Sequence, residues 1–187
     1  LRSGVADKVK IIQGDIFVED FSQASVVTLY LLEELNARLR PLILKMPPGT
    51  RVVSNTFSMG DWEPDQVIDS NGQTAYLWKV PAQVGGNWIV HGLDSDGNSN
   101  AAQIHIDQRH QRLSGTMTSN GKKQALLGTR IEGNVLYFSF LNAQDELKHV
   151  KATVDDKHWT GEIVAPYGMV ELILPTQKIT ATRSLVH

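Results

Sequence analysis

Across its 187 residues the sequence has no cysteine. Disulfides, thiolate nucleophiles and thiolate zinc sites are thereby excluded, and a reducing, cytoplasmic setting is expected. Long apolar runs are also missing. None approaches the length of a membrane span, and the first residues carry neither the basic start nor the apolar segment of a secretion signal. Lys and Arg number 18 against 20 Asp and Glu, a formal net charge of -2, and no like-charged tail appears. That balance argues against a nucleic-acid surface built on net charge. His91, His105, His110, His149, His158 and His187 show no metal-ligand spacing. Asp94, Asp96 and Asn98 alternate around Gly97 like the opening of a calcium loop, but the bidentate acid that completes such a loop is absent, so no metal site is expected.

What the chain does have is 41% hydrophobic residues, ample for one large core or two small ones. The stretch from Val26 to Trp62 organises the first part. Val26-Val27-Thr28-Leu29-Tyr30 is a β-branched and aromatic run, as expected of a strand buried on both faces. Leu32, Leu35, Leu39, Leu42 and Ile43 then recur at helical spacing, with Glu33, Glu34, Asn36, Arg38 and Arg40 as the solvated face. Acids lead and bases follow, which complements the helix dipole. Pro47-Pro48-Gly49 is expected to end the helix, and Arg51-Val52-Val53-Ser54 begins a second strand. Strand, helix and strand in this order describe a crossover in a parallel sheet. Ahead of it, Val9-Lys10-Ile11-Ile12 reads as a strand that delivers Gln13-Gly14-Asp15 to a carboxyl edge, where open α/β sheets bind ligands. Behind it, Asn71-Gly72 between strand-like runs predicts a type I′ hairpin.

A short polar joint is expected at Pro81 to Gly86, dividing the chain into residues 1–82 and 86–187. Beyond it the texture is short alternating strands and turns: Trp88 to Leu93, Ala102 to Asp107, Arg112 to Met117, Gln124 to Thr129, Val135 to Leu141, Leu147 to Val154, His158 to Val164, Val170 to Leu174 and Ile179 to Arg183. Such a series predicts an antiparallel barrel or sandwich. Gly86-Asn87-Trp88 with the late Arg183 resembles the lipocalin-like barrels, in which the first and last strands are neighbours and a cation stacks on the indole.

Gly14-Asp15 after VKIIQ, the VVTLYL strand, a helix running into LRP, PPGTRVVS, and Phe57 followed by Asp61-Trp62 together resemble the second half of a class I, seven-strand, Rossmann-like S-adenosylmethionine-dependent methyltransferase, of the protein-lysine-directed type. The resemblance covers roughly residues 5–80. It implies α/β plus all-β architecture: a partial methyltransferase sheet, strands 3 to 7 of the order 3-2-1-4-5-7-6, followed by the barrel-like domain. It also implies S-adenosylmethionine as cofactor. Gly14, Asp15, Ile16, Phe17 and Leu29 are then expected to line the cofactor, Asp15 at the adenine amino group. Thr28 and Tyr30 meet the methyl group and acceptor, and Phe57, Asp61 and Trp62 wall a substrate pocket. The glycine-rich loop and ribose-binding acid of such enzymes do not precede Val9, so the chain is expected to be an inactive fragment of a longer enzyme. The methyl acceptor is expected to be a protein lysine or other amine, or a small molecule. An open sheet edge suggests a homodimer. The alternative is a noncatalytic module in which the β domain binds a small ligand or partner.

Overall fold

The computed structural model describes residues 4, 5, 7–93, 101–155, 157–164 and 177–184. Among these residues it is mostly β, with one helix and two sheets. The first sheet contains β1 (Val26–Leu29), β2 (Arg51–Asn55), β3 (Gln66–Ser70) and β4 (Gln73–Lys79), with helix α1 (Glu33–Ile43) between β1 and β2. Its order is β1-β2-β4-β3. β1 and β2 are adjacent and parallel, as a strand, helix, strand crossover requires, whereas β4 runs antiparallel to both of its neighbours. Asn71 and Gly72 both adopt positive φ, 51° and 76°, the geometry of a two-residue hairpin.

Several expectations for this part change. Val9 to Ile12 forms no strand: Ile11 is 83% exposed, and Val9 and Ile12 are exposed too. A strand needs a ladder neighbour, and β1 pairs only with β2 among the described residues, so this segment finds none. The observed sheet therefore has four strands rather than five. β1 is covered on one face only, with Val27 and Leu29 packed inward while Val26 and Thr28 are exposed. Helix α1 stops at Ile43, ahead of Pro47. Its buried stripe is Asn36, Leu39 and Ile43, whereas Leu32 is 62% exposed. Asn36 shares that face because 36, 39 and 43 follow the three-then-four helical step.

The second sheet comprises β5 (Gly86–His91), β6 (Ala102–Arg109), β7 (Arg112–Ser119), β8 (Lys122–Ala125), β9 (Leu127–Glu132), β10 (Val135–Leu141), β11 (Leu147–Val154), β12 (His158–Val164) and β13 (Lys178–Arg183). Following the ladder through β6, β5, β13, β12, β11, β10, β9 and β7 returns to β6, so eight antiparallel strands close a barrel, with β8 hydrogen-bonded to β7. No sandwich forms. The run expected over Gln124 to Thr129 divides at Leu126, which turns into the core while the Gln124 side-chain amide pairs with the Leu141 backbone, Nε2 to O and Oε1 to N both at 2.9 Å. The expected strand Val170 to Leu174 and the Asp94, Asp96, Asn98 loop lie outside the described residues.

The barrel interior is filled. Trp159 meets Trp88 and Phe138 edge-on at centroid distances of 5.6 and 5.7 Å, and Ile104, Ile106, Leu136, Phe140 and Val150 pack around them. Closure is as the lipocalin-like pattern implies. Trp88 pairs in register with Arg183, whose guanidinium lies 4.4 Å from the indole centroid and donates to Gly85 O at 2.6 Å and Gln83 O at 2.8 Å. Gly86 sits at φ 113°, and a Cβ there would lie 3.1 Å from Arg183 Nη1.

The joint is not a polar linker. Pro81, Ala82 and Val84 are buried, Ala82 N donates to Gly133 O at 2.7 Å, and Gln108 Oε1 accepts from Val84 N and Gly85 N. The two cores nevertheless divide here: Val80 belongs to the first, Ala82 to the second.

Candidate functional site

A cleft of about 350 Å³ opens where β1 and β2 reach their carboxyl ends, lined by Tyr30, Leu31, Leu32, Asn55, Thr56 and Phe57. Parallel strands place such a cleft there because the chain leaves each strand on the same side of the sheet and turns away. Tyr30 and Phe57, expected to contribute to acceptor binding, are brought together by it. Tyr30 is 85% exposed, one residue past β1.

The far wall of the cleft has unusual backbone geometry. Thr56 adopts φ 68°, and Phe57 N donates to Asn55 O at 2.8 Å, so residues 55–57 form a γ-turn of the strained hand. A β-branched residue rarely occupies positive φ, and strain of this kind persists only where the surroundings hold it. Thr56 N donates to Thr74 O at 2.7 Å, and Asn36 meets the residues on either side of the turn. From a fully buried position its Nδ2 donates to Ser54 Oγ at 3.0 Å and to the carbonyls of Phe57 and Ser58, each at 3.2 Å. Its Oδ1 accepts no hydrogen bond, a buried shortfall of about 1–3 kcal/mol. Ser58 in turn donates to Glu33 Oε1 at 2.5 Å in the first turn of α1.

Asp61 and Trp62 do not line the cleft. Trp62 is 0% exposed, its ring 6.0 Å from Trp78 and 5.9 Å from His110, and its Nε1 donates to Gln111 Oε1 at 2.9 Å. An indole sealed in this way cannot wall an open pocket. Asp61 bridges Arg40 of α1 and Arg109 of the β6–β7 hairpin; the hydrogen bond from Arg109, aided by the charge of Arg40, holds its carboxyl below the usual carboxylate range. Gln111 Nε2 donates to Glu63 O at 2.6 Å, and Arg112 pairs with the Glu63 carboxylate. Burial beside Trp62 lowers the pKa of His110.

Gly14, Asp15, Ile16 and Phe17 lie in a turn. Asp15 Oδ1 accepts from Phe17 N at 2.9 Å, and Asp15 O accepts from Val18 N and Glu19 N. Phe17 packs against the first core under the Arg38 guanidinium, 4.1 Å from its centroid; Leu29 packs there too, and Thr28 is exposed on the open face of β1. Among the described residues no cluster of three or more metal-ligating side chains occurs. No helix among them is long and apolar enough to cross a membrane.

Asn36, expected on the solvated face of α1, is instead fully buried. Its helical phase with Leu39 and Ile43 places it on the buried stripe. Nothing in the sequence marked Gln111 or Arg109, because their partners lie 48 or 49 positions away.

Residues 1–66 match the family described as ANTKMT methyltransferase domain. A protein-lysine N-methyltransferase of Saccharolobus islandicus is 40% identical over 84 residues, covering 42% of this chain and 52% of that protein. The crystal structure of an RNA methyltransferase from Salinibacter ruber in complex with S-adenosyl-L-homocysteine is 50% identical, covering 43% of this chain and 54% of that one at a TM-score of 0.42. The chain thus spans about half the length of the curated relative it matches. The sequence ahead of the barrel is similar to S-adenosylmethionine-dependent methyltransferases, as its motifs imply.

Proposed function

We propose that residues 1–82 are the acceptor-side portion of a class I S-adenosylmethionine-dependent protein-lysine methyltransferase, and that the barrel is an appended domain. The observation that carries this reading is the cleft at the carboxyl ends of the parallel β1–β2 pair, lined by Tyr30 and Phe57, inside the residues that match the methyltransferase family. The order β1-β2-β4-β3, with a parallel first pair and an antiparallel last hairpin, supports it, since strands 4, 5, 7 and 6 of the class I sheet follow one another in that way.

The cleft fits an amine side chain. Tyr30, Leu31, Leu32 and Phe57 give it apolar and aromatic surface for the lysine methylenes, with Asn55 and Thr56 as polar neighbours, and the amine reacts in its neutral form, the one whose lone pair can attack. The donor, when bound, supplies an electrophilic methyl on a sulfonium. With it in place the acceptor amine would gain the methyl as the sulfonium left as a thioether, and the product ammonium would release its proton to water. Tyr30 and Thr28 are assigned to the acceptor side, where alignment rather than a general base carries the rate. Gly14, Asp15, Ile16, Phe17 and Leu29 are assigned to the cofactor side.

Because the matched relative is about twice as long as the overlap, we assign the rest of the donor site to sequence beyond these residues and expect the 187-residue chain to bind S-adenosylmethionine negligibly. The test is radiolabelled methyl transfer by the full-length gene product to a lysine peptide and, in parallel, to RNA. Transfer to the peptide, with Tyr30→Phe lowering turnover and Asp15→Ala raising the cofactor KM, supports the reading. Transfer to RNA alone overturns the lysine assignment, and transfer to neither overturns the enzyme reading.

A further inference from the structure

We propose that Asn36 is a positioning residue for the cleft: it acts through the Thr56 γ-turn to fix the Phe57 wall, which on the reading above receives the acceptor. Three observations converge on it. Asn36 is fully buried on α1, yet every side-chain hydrogen bond it makes reaches the end of β2 or the segment that follows it, at Ser54 Oγ, Phe57 O and Ser58 O. Its orientation is fixed, because exchanging the amide nitrogen and oxygen would set an acceptor against two carbonyl acceptors. The unpartnered Oδ1 is the consequence of that orientation.

The acceptors that Asn36 engages flank the strained residue. Thr56, at φ 68°, lies between Ser54 and the Phe57 carbonyl. Relaxing it toward negative φ would swing the Phe57 and Ser58 carbonyls off the amide and rotate Phe57 out of the wall. A polar residue retained only for packing would have no reason to span both ends of a strained turn. Leu or Met would fill the same space on the Asn36, Leu39, Ile43 stripe with no buried shortfall.

The proposal is tested on the whole 187-residue chain labelled with 4-fluorophenylalanine at its five phenylalanines, the Phe57 resonance being assigned by its loss in Phe57→Leu. In the wild type Phe57 gives one fluorine line. Asn36→Ala is expected to move or split it, with the remaining four lines in place. Glycine takes positive φ without strain, so adding Thr56→Gly to Asn36→Ala is expected to restore the single line, whereas Thr56→Gly alone leaves it single. A Phe57 line unchanged in Asn36→Ala, or changed there and not restored by Thr56→Gly, overturns the proposal. Should Asn36→Ala fail to fold, Asn36→Ser replaces it in the same comparison. Titration of the wild type with Nα-acetyl-lysine amide separates the two readings: if the Phe57 line ignores the probe while the rescue pattern holds, the positioning role stands and the acceptor assignment falls.

Discussion

Replacing Gln111 with methionine tests whether the barrel and the sheet before it act as one folding unit. Gln111 occupies the tip of the β6–β7 hairpin, where its Oε1 accepts the Trp62 indole N–H at 2.9 Å and its Nε2 donates to Glu63 O at 2.6 Å. Methionine has similar length and volume, so packing is kept while both hydrogen bonds vanish. The Glu63 carbonyl belongs to an exposed residue, where water replaces the amide and little is lost. Trp62 is 0% exposed, and its N–H would be a buried donor without an acceptor, a loss of about 1–3 kcal/mol. Urea unfolding followed by circular dichroism should show that loss. In a Trp62→Phe background, which has no indole N–H to orphan, the same Gln111→Met change should lose much less. Trp62 and Trp78 lie in the first core and Trp88 and Trp159 in the barrel, so fluorescence of pairwise Trp→Phe variants shows whether the halves unfold together. A Gln111→Met protein within about 0.5 kcal/mol of wild type, or an equal loss in both backgrounds, would refute the reasoning.

Arg183→Ala should destabilise the barrel by about 2–4 kcal/mol through loss of the stack on Trp88 and of two charge-assisted hydrogen bonds, measured by thermal melting. An unaltered Tm would remove closure by this pair. His110 has a folded pKa depressed by burial, so the unfolded chain binds the proton first: its contribution is present above 6.5 and lost as pH falls through the lower folded value. His110→Gln should accordingly flatten the loss of stability below pH 6.5, and parallel pH profiles would contradict this. The outer edge of β1, with Val26 exposed beside it, is expected to mediate self-association; Val26→Lys should lower the mass seen by light scattering, and a wild-type protein already monomeric at high concentration would sink the idea.

Local chemistry was legible where one physical demand dominated. Asn71-Gly72 and Asn120-Gly121 adopt the paired positive φ angles that their sequence requires. Val135 to Leu141, Leu147 to Val154 and His158 to Val164 are rich in β-branched and aromatic residues and bounded by turn residues, and each forms a strand over those limits. Gly86, Trp88 and Arg183 foretold closure because a cation, an indole and a residue without a side chain must fit one corner. The errors share another cause. Val9 to Ile12 has the composition of a strand, but a strand exists only with a partner, and composition does not supply one. Tryptophan after a strand indicates burial without saying against what, and the partner of Trp62 is a hairpin tip 49 residues downstream instead of a pocket.

The segment from Asn55 to Glu63 links the two halves of the molecule. From one side α1 grips it twice, at positions four apart on one face: Asn36 holds the carbonyls of Phe57 and Ser58, and Arg40 donates to Met59 O at 2.8 Å and pairs with Asp61. From the other side the β6–β7 hairpin takes hold through Arg109 on Asp61, Gln111 on Trp62 and Glu63, and Arg112 on Glu63. The same segment begins as the far wall of the cleft. Arg40 and Asn36 lie one helical turn apart, so the residues that meet the hairpin's contacts and those that meet the cleft wall are carried by the same face of α1. The nine residues from Asn55 to Glu63 are thus held by α1 toward one end and by the β6–β7 hairpin toward the other.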